Sequence, residues 1–288
     1  MKKSKVLFLS SLAILTPSIT GIVAISCGGE KANQFADQFV NGSNATKYWS
    51  EQTKTLDLSK ADIKEIPDGA FSFKALSNFA IIRSGSNVTI GNIASGLVDW
   101  ELSKSNTKIG VNGFNIENLI LPASLEKIGA GAFSGLGKIK TVVFGDKLTT
   151  IGDEAFSQNA IEKLELPASV SYIGKRAFSQ NAIASLNLNA ATKVTILNEG
   201  VFSQNKLTEI DLSNIIRVES GALAQNSLTD VTISQATIFF SPQTFDYIGA
   251  NDNSTKVAIT VQNNEGILNA LKSAKESNPK LLYTLTNS

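Results

Sequence analysis

A hexapeptide, Ile-Gly-x-x-Ala-Phe, returns along this chain at a near-constant interval and limits the folds open to it more than any other feature. Clear copies are Ile128 to Phe133, Ile151 to Phe156 and Ile173 to Phe178. Looser copies are Ile66 to Phe71, Ile109 to Phe114, Ile196 to Phe202 (one residue longer), Val218 to Leu223 and Phe240 to Phe245. From Phe133 onward the closing positions fall 23, 22, 24, 21 and 22 residues apart. Phe71 to Phe114 is 43, about two periods, so residues 72–108 are expected to hide a degenerate repeat around Val88-Thr89-Ile90.

A second pattern runs in phase with the first. Apolar-x-apolar triplets, often followed by proline, occur at Leu119-Ile120-Leu121, Val142-Val143-Phe144, Leu164-Glu165-Leu166, Leu186-Asn187-Leu188, Ile210-Asp211-Leu212 and Val231-Thr232-Ile233. Such alternation is a short strand with one face buried. A Ser-Gln-Asn step follows the Phe at 157–159, 179–181 and 203–205, with Ala-Gln-Asn at 224–226. Its amides are suited to backbone groups left open by a turn. No unit this short can bury its own Leu, Ile and Phe, whereas stacked units share one core. The expected body is a solenoid of roughly nine repeats, about 45 Å long at about 4.8 Å per coil.

These residues resemble the BspA-like subgroup of leucine-rich repeats, whose unit reads roughly Leu-Pro-x-Ser-Val-x-x-Ile-Gly-x-x-Ala-Phe. Leu166 to Phe178 (LPASVSYIGKRAF) and Leu121 to Phe133 (LPASLEKIGAGAF) carry the likeness. It covers about residues 55–245 and departs from the pattern in 72–108 and at Ile196 to Phe202. The resemblance implies a mainly β, right-handed superhelix of short parallel strands, here assigned to residues 51–245. Residues 246–288 lose the period. A strand near Lys256 to Val261, a helix from Asn264 and a last strand near Leu281 to Tyr283 are expected to cap the open end of the stack.

The amino terminus reads as an address. Met1 to Lys5 is basic, Val6 to Ile25 mostly apolar, and Ser26-Cys27-Gly28-Gly29 closes the segment. Cys27 is the one cysteine of the chain. Its setting resembles the lipobox of bacterial lipoproteins, especially those of mycoplasma-type bacteria. That resemblance implies a signal peptide over 1–26, a diacylglycerol on Cys27 and a lipid-anchored chain facing outward from the cell membrane. Residues 27–50 would be the lipidated cysteine and a flexible tether, with Tyr48 and Trp49 starting the folded part. The other reading of the apolar run is an uncleaved membrane anchor.

Composition removes whole classes of chemistry. There is no histidine, so Ser-His-Asp and Cys-His catalysis and His-ligated zinc are excluded. One cysteine allows no intrachain disulfide. A formal net charge of +1, with only Arg83, Arg176 and Arg217 as arginines, gives no electrostatic case for nucleic acid. No cofactor or metal site is expected. Asp153-Glu154 in one repeat and Lys175-Arg176 in the next read as solvated surface. The candidate binding face is the outward side of the apolar-x-apolar strands: Lys163, Glu165, Ser185, Asn187, Asn189, Glu209, Asp211, Asp230 and Thr232. Leucine-rich repeats commonly use such a face for protein ligands. The resemblance therefore implies a non-enzymatic, adhesin-like surface lipoprotein that binds host or extracellular proteins. The alternatives are a structural or antigenic coat lipoprotein without a defined ligand, a solute-binding lipoprotein and a carboxylate-only hydrolase. Oligomeric state is open.

Overall fold

The structure is a computed structural model and describes residues 30–40, 46–76, 79–84, 87–92, 108–110, 115–246 and 257–286. Among these, seven coils stack in register, closing on Phe71, Phe133, Phe156, Phe178, Phe202, Leu223 and Phe245. This is a leucine-rich-repeat-type body, mainly β, with short parallel strands and few helices.

Each coil offers the stack two short strands. The first row runs Thr55–Asp57, Asn118–Ile120 and Thr141–Val143, all parallel, with Trp49–Ser50 antiparallel on its outer edge. It continues as the pair Lys163–Leu164 with Ser185–Leu186, and ends as Asp230–Ile233 beside the cap. The second row holds Glu65–Ile66, Lys127–Ile128, Thr150–Ile151 and Tyr172–Ile173, then Ile196–Leu197, Arg217–Val218 and Phe239–Phe240. A strand puts neighbouring side chains on opposite faces, so every second-row strand buries its second residue and turns its first outward.

The hexapeptide is explained residue by residue. Its Phe side chains form a spine: Phe71, Phe133, Phe156, Phe178 and Phe202 stack with centroids 5.3, 5.2, 5.4 and 5.9 Å apart and interplanar angles of 5°, 10°, 1° and 16°. All five are fully buried, each worth about 1.5–3 kcal/mol of transfer free energy. Its Gly is set by coil spacing. A Cβ on Gly152 would meet the Ala130 amide nitrogen at 2.6 Å and the Gly129 carbonyl carbon at 2.7 Å.

The Asn of Ser-Gln-Asn stitches coils together. Asn205 Nδ2 donates to the carbonyls of Phe178 (2.9 Å) and Phe202 (3.1 Å), while its Oδ1 accepts from Ile183 N–H at 3.0 Å. Asn181 and Asn226 repeat the arrangement one coil either side. The Gln does something else: Gln158, Gln180, Gln204 and Gln225 hold the left-handed backbone of the corner, at φ of 54° to 57°.

Three expectations are corrected. The described residues of 72–108 form no degenerate repeat of the stack. The coil ending at Phe73 pairs directly with the coil entered at Glu117, through Thr55↔Asn118, Ile66↔Ile128 and Phe71 N–H to Ala132 O at 2.7 Å. Between them Phe79–Ser84 pairs antiparallel with Asn87–Asn92, which contains Val88 to Ile90, and with Lys108–Gly110. The copy at Ile109 to Phe114 thus opens in an antiparallel strand, and its residues 111–114 lie outside the described residues. Second, Ile196 to Phe202 contains no insertion. Leu197, fully buried, takes the Ile place, Asn198 takes the Gly place, and Ile196 is the outward residue. The extra length sits upstream, at the 3-10 turn Leu188–Ala190. Third, 27–50 is not a plain tether. Glu30–Val40 is a helix that buries Ala36, Phe39 and Val40 and brings Phe35 to 5.9 Å from Phe71. Phe39 meets Tyr48 at 5.2 Å, so helix, Tyr48 and Trp49 together close the first coil. Asp153, Glu154, Lys175 and Arg176 are exposed, as a solvated surface requires, and also link coils. Asp153 Oδ1 accepts from Lys175 N–H at 2.8 Å, and Arg176 reaches Glu154 (3.4 Å) and Glu199 (3.1 Å) across coils.

The other end closes with Val257–Val261, the helix Glu265–Ser277 and Tyr283–Thr286. Asn264 caps that helix by accepting from Ile267 N–H at 3.2 Å, and the buried Tyr283 hydroxyl donates to Leu271 O at 2.8 Å.

Candidate functional site

The first strand row carries the outward residues singled out from sequence, and the fold sorts them into two groups. Lys163 and Glu165 are exposed but paired to each other at 2.5 Å. Asn187 is half-buried and structural: its Oδ1 accepts from Leu166 N–H at 2.7 Å and its Nδ2 donates to Leu166 O at 3.2 Å. Ser185, Asn189, Glu209, Asp211, Asp230 and Thr232 are exposed. Cys27, the lipid-attachment candidate, lies outside the described residues.

Around Glu209 to Leu212 the row changes character. The 3-10 turn at Leu188–Ala190 lengthens the preceding coil, and the Phe spine widens to 5.9 Å at the same level. Residues 208–212 form no strand, and the row breaks between Ser185–Leu186 and Asp230–Ile233. A groove opens on each side of this coil. One, of about 420 Å³, lies toward Ser185, Leu186 and Asn189; the other, of about 370 Å³, lies toward Asp230, Thr232 and Gln262. Glu209, Ile210 and Asp211 line both, and neither groove is lined by a lysine or arginine.

The electrostatics follow. Asp211 Oδ1 accepts from Ser213 N–H at 2.9 Å, and that backbone hydrogen bond holds the carboxyl below its usual range, so it stays ionised. Asp230 accepts from the Thr229 hydroxyl at 2.9 Å. Several outward acids elsewhere are answered by bases: Glu117 by Lys140 at 2.8 Å, Glu65 by Lys127 at 2.6 Å. Among the described residues no group of three or more His, Cys, Asp or Glu is placed to hold a metal ion, and no helix is long and apolar enough to cross a membrane.

Sequence reasoning missed a second surface. The residue one before each buried second-row position reads Glu65, Lys127, Thr150, Tyr172, Ile196, Arg217, Phe239 along the stack. The first three members are charged or polar, and of the last four Tyr172, Ile196 and Phe239 are apolar or aromatic, with Arg217 the charged exception. Tyr172 is 46% exposed, Ile196 40% and the neighbouring Ile238 71%, while the Arg217 guanidinium lies 4.3 Å from the Phe239 ring centroid. The signal was present in the aligned repeats, as a column whose chemistry shifts along the stack.

Comparison with known proteins is consistent with this body. Residues 107–229 match the family described as BspA type leucine rich repeat region, in six copies. No curated protein matches the chain. Similar solved structures include the pneumococcal vaccine antigen PcpA, at 19% identity and a TM-score of 0.43 over 71% of this chain and 51% of that one. A leucine-rich repeat protein from Bacteroides ovatus matches at 16% and 0.29, over 51% and 50%, and a leucine rich cell surface protein from Faecalibacterium prausnitzii at 15% and 0.27, over 60% and 60%. The chain spans about half the length of the first two.

Proposed function

We propose that this leucine-rich-repeat protein is a membrane-anchored surface lipoprotein whose strand face binds host or extracellular proteins, and that it is not an enzyme. One observation carries the reading. In the later coils the outward residues Asn189, Glu209, Asp211, Asp230 and Thr232 are exposed without holding coils together, whereas Asn187 and Asn205 are committed to the stack. A face kept free of structural duty over successive coils is a surface available to a partner, and the row of exposed Tyr172, Ile196 and Ile238 adds the apolar and aromatic anchors that interfaces favour.

Anchoring through Cys27 would give the face an orientation. Only two residues, Gly28 and Gly29, separate Cys27 from the first helical residue, Glu30, a reach of about 10 Å even fully extended. The first coil would therefore lie against the bilayer, with the coils of the acidic grooves held away from it. Two acyl chains would suffice for stable attachment. The test has two arms. Full-length chain is screened by surface plasmon resonance against extracellular-matrix and serum proteins, with saturable binding expected for at least one. Cys27→Ser is expected to abolish incorporation of labelled fatty acid into the chain. Absence of any saturable ligand would favour a coat protein without a defined ligand.

A further inference from the structure

We propose that the two grooves flanking Glu209 to Asp211 seat an extended segment of the partner protein that carries lysine or arginine at alternate positions. The proposal rests on the protein-binding reading above and names the chemistry of its partner. The occupant follows from charge complementarity: Glu209 and Asp211 line both grooves, Asp230 lines the second, and no base lines either. Among the described residues these three carboxylates have no ion-pair partner, unlike Glu65, Glu117 and Glu165 on the strand rows. Hydroxyl and amide groups stand beside the acids, Ser185 and Asn189 on one side and Thr232 and Gln262 on the other, and suit a peptide backbone, while Leu186, Ile210 and Val231 add apolar lining.

The geometry selects an extended segment. The grooves lie on either side of one coil, so their centres are about one coil apart, about 5 Å. An extended chain projects residues i and i+2 to the same side about 6.6 Å apart, close enough for two cationic side chains to enter neighbouring grooves. A helix presents neighbours three or four positions apart and a broader body, which two grooves about 5 Å apart accommodate less well. Because Glu209, Asp211 and Asp230 are exposed, their attraction is screened, and binding must weaken as salt rises.

The probe is a blocked heptapeptide alternating Lys and Thr, titrated into the full chain in mild detergent and followed by fluorescence anisotropy. A peptide with Glu in place of every Lys is the control. The expected result is saturable binding of the Lys peptide alone, weakened at least tenfold by E209Q/D211N/D230N and unaffected by E65Q/E117Q at the far end of the solenoid. Asn at 211 still offers an oxygen to Ser213 N–H, so the turn is kept, and circular dichroism confirms the fold. Equal binding by the triple variant, equal binding of both peptides or no saturable binding overturns the proposal. If extracellular proteins bind the chain while the triple variant binds them as well as the original, this inference fails and the protein-binding reading stands. If neither proteins nor peptide bind, both fail.

Discussion

Replacing Gly152 with alanine should be among the most damaging one-methyl changes available in this chain, and the structure shows why. The new Cβ would sit 2.6 Å from the Ala130 amide nitrogen and 2.7 Å from the Gly129 carbonyl carbon. These are backbone atoms of the coil below and cannot swing aside. Ordinary contact begins near 3.4 Å, so the coils must part by about 0.8 Å. The solenoid already contains such a place. Where Asn198 occupies the glycine position the Phe spine opens to 5.9 Å, against 5.2 Å between Phe133 and Phe156, and the second strand row is broken. Gly152→Ala should reproduce that break between Thr150–Ile151 and Lys127–Ile128 and strain the 2.8 Å bond from Gly152 N–H to Ile128 O. Overpacking costs about 1–3 kcal/mol and each weakened buried hydrogen bond about 0.5–1.5 kcal/mol, giving a loss of about 2–4 kcal/mol. Urea unfolding followed by circular dichroism reads the loss, and hydrogen exchange at Gly152 N–H locates it. Gly137→Ala is the control, since a Cβ there meets nothing within 4 Å and bears only the cost of its φ of 69°. A loss below about 0.5 kcal/mol at Gly152, or a larger loss at Gly137, would refute the spacing argument.

Three further outcomes are expected. Asn205→Ala strands the Ile183 N–H in the core and should cost about 1–3 kcal/mol in the same unfolding assay, with faster exchange at Ile183. Glu154→Gly relieves a left-handed φ of 55° and gives up only an exposed 3.4 Å ion pair, so stability should rise by up to about 1 kcal/mol; a fall in midpoint contradicts this. Glu199 is held below its usual carboxyl range chiefly by its hydrogen bond to Arg176, then by Lys175. A depressed folded-state value stabilises above the unfolded value of 4.5 and is lost as pH falls through the folded value. The Phe178 and Phe202 coils should therefore loosen in acid, and Glu199→Gln should make exchange there less pH-dependent below that point.

Much of this fold was legible because local and long-range demands coincide. The Phe of each hexapeptide marks one position on the spine, and the alternation of Asp230 to Ile233 is the alternation of its burial. Asn264 was readable as a helix cap because its neighbours Ile267 and Leu271 show helical spacing. Three features were not legible, each for a physical reason. Ile196 and Leu197 are both apolar, so periodicity alone cannot say which is buried; the five-residue distance to Phe202 decides it. Phe35, Ala36, Phe39 and Val40 form a helical face, but polar flanks disguise it and its partner, Phe71, is distant in sequence. The grooves beside Glu209 depend on how far two coils stand apart, which residue types alone do not fix. The acids there were visible, while their freedom and the structural engagement of Asn187 required the stack.

The later coils of the first strand row are proposed to form the recognition face. The most direct test of that proposal is hydrogen exchange of the full chain with and without the extracellular protein that binds it most tightly in the screen. New protection is expected at residues 185–189, 208–213 and 230–232, with the Gln-Asn corner at 180–181 and 204–205 unchanged. Protection confined to that corner, or to the second row at Tyr172, Ile196 and Ile238, would contradict it.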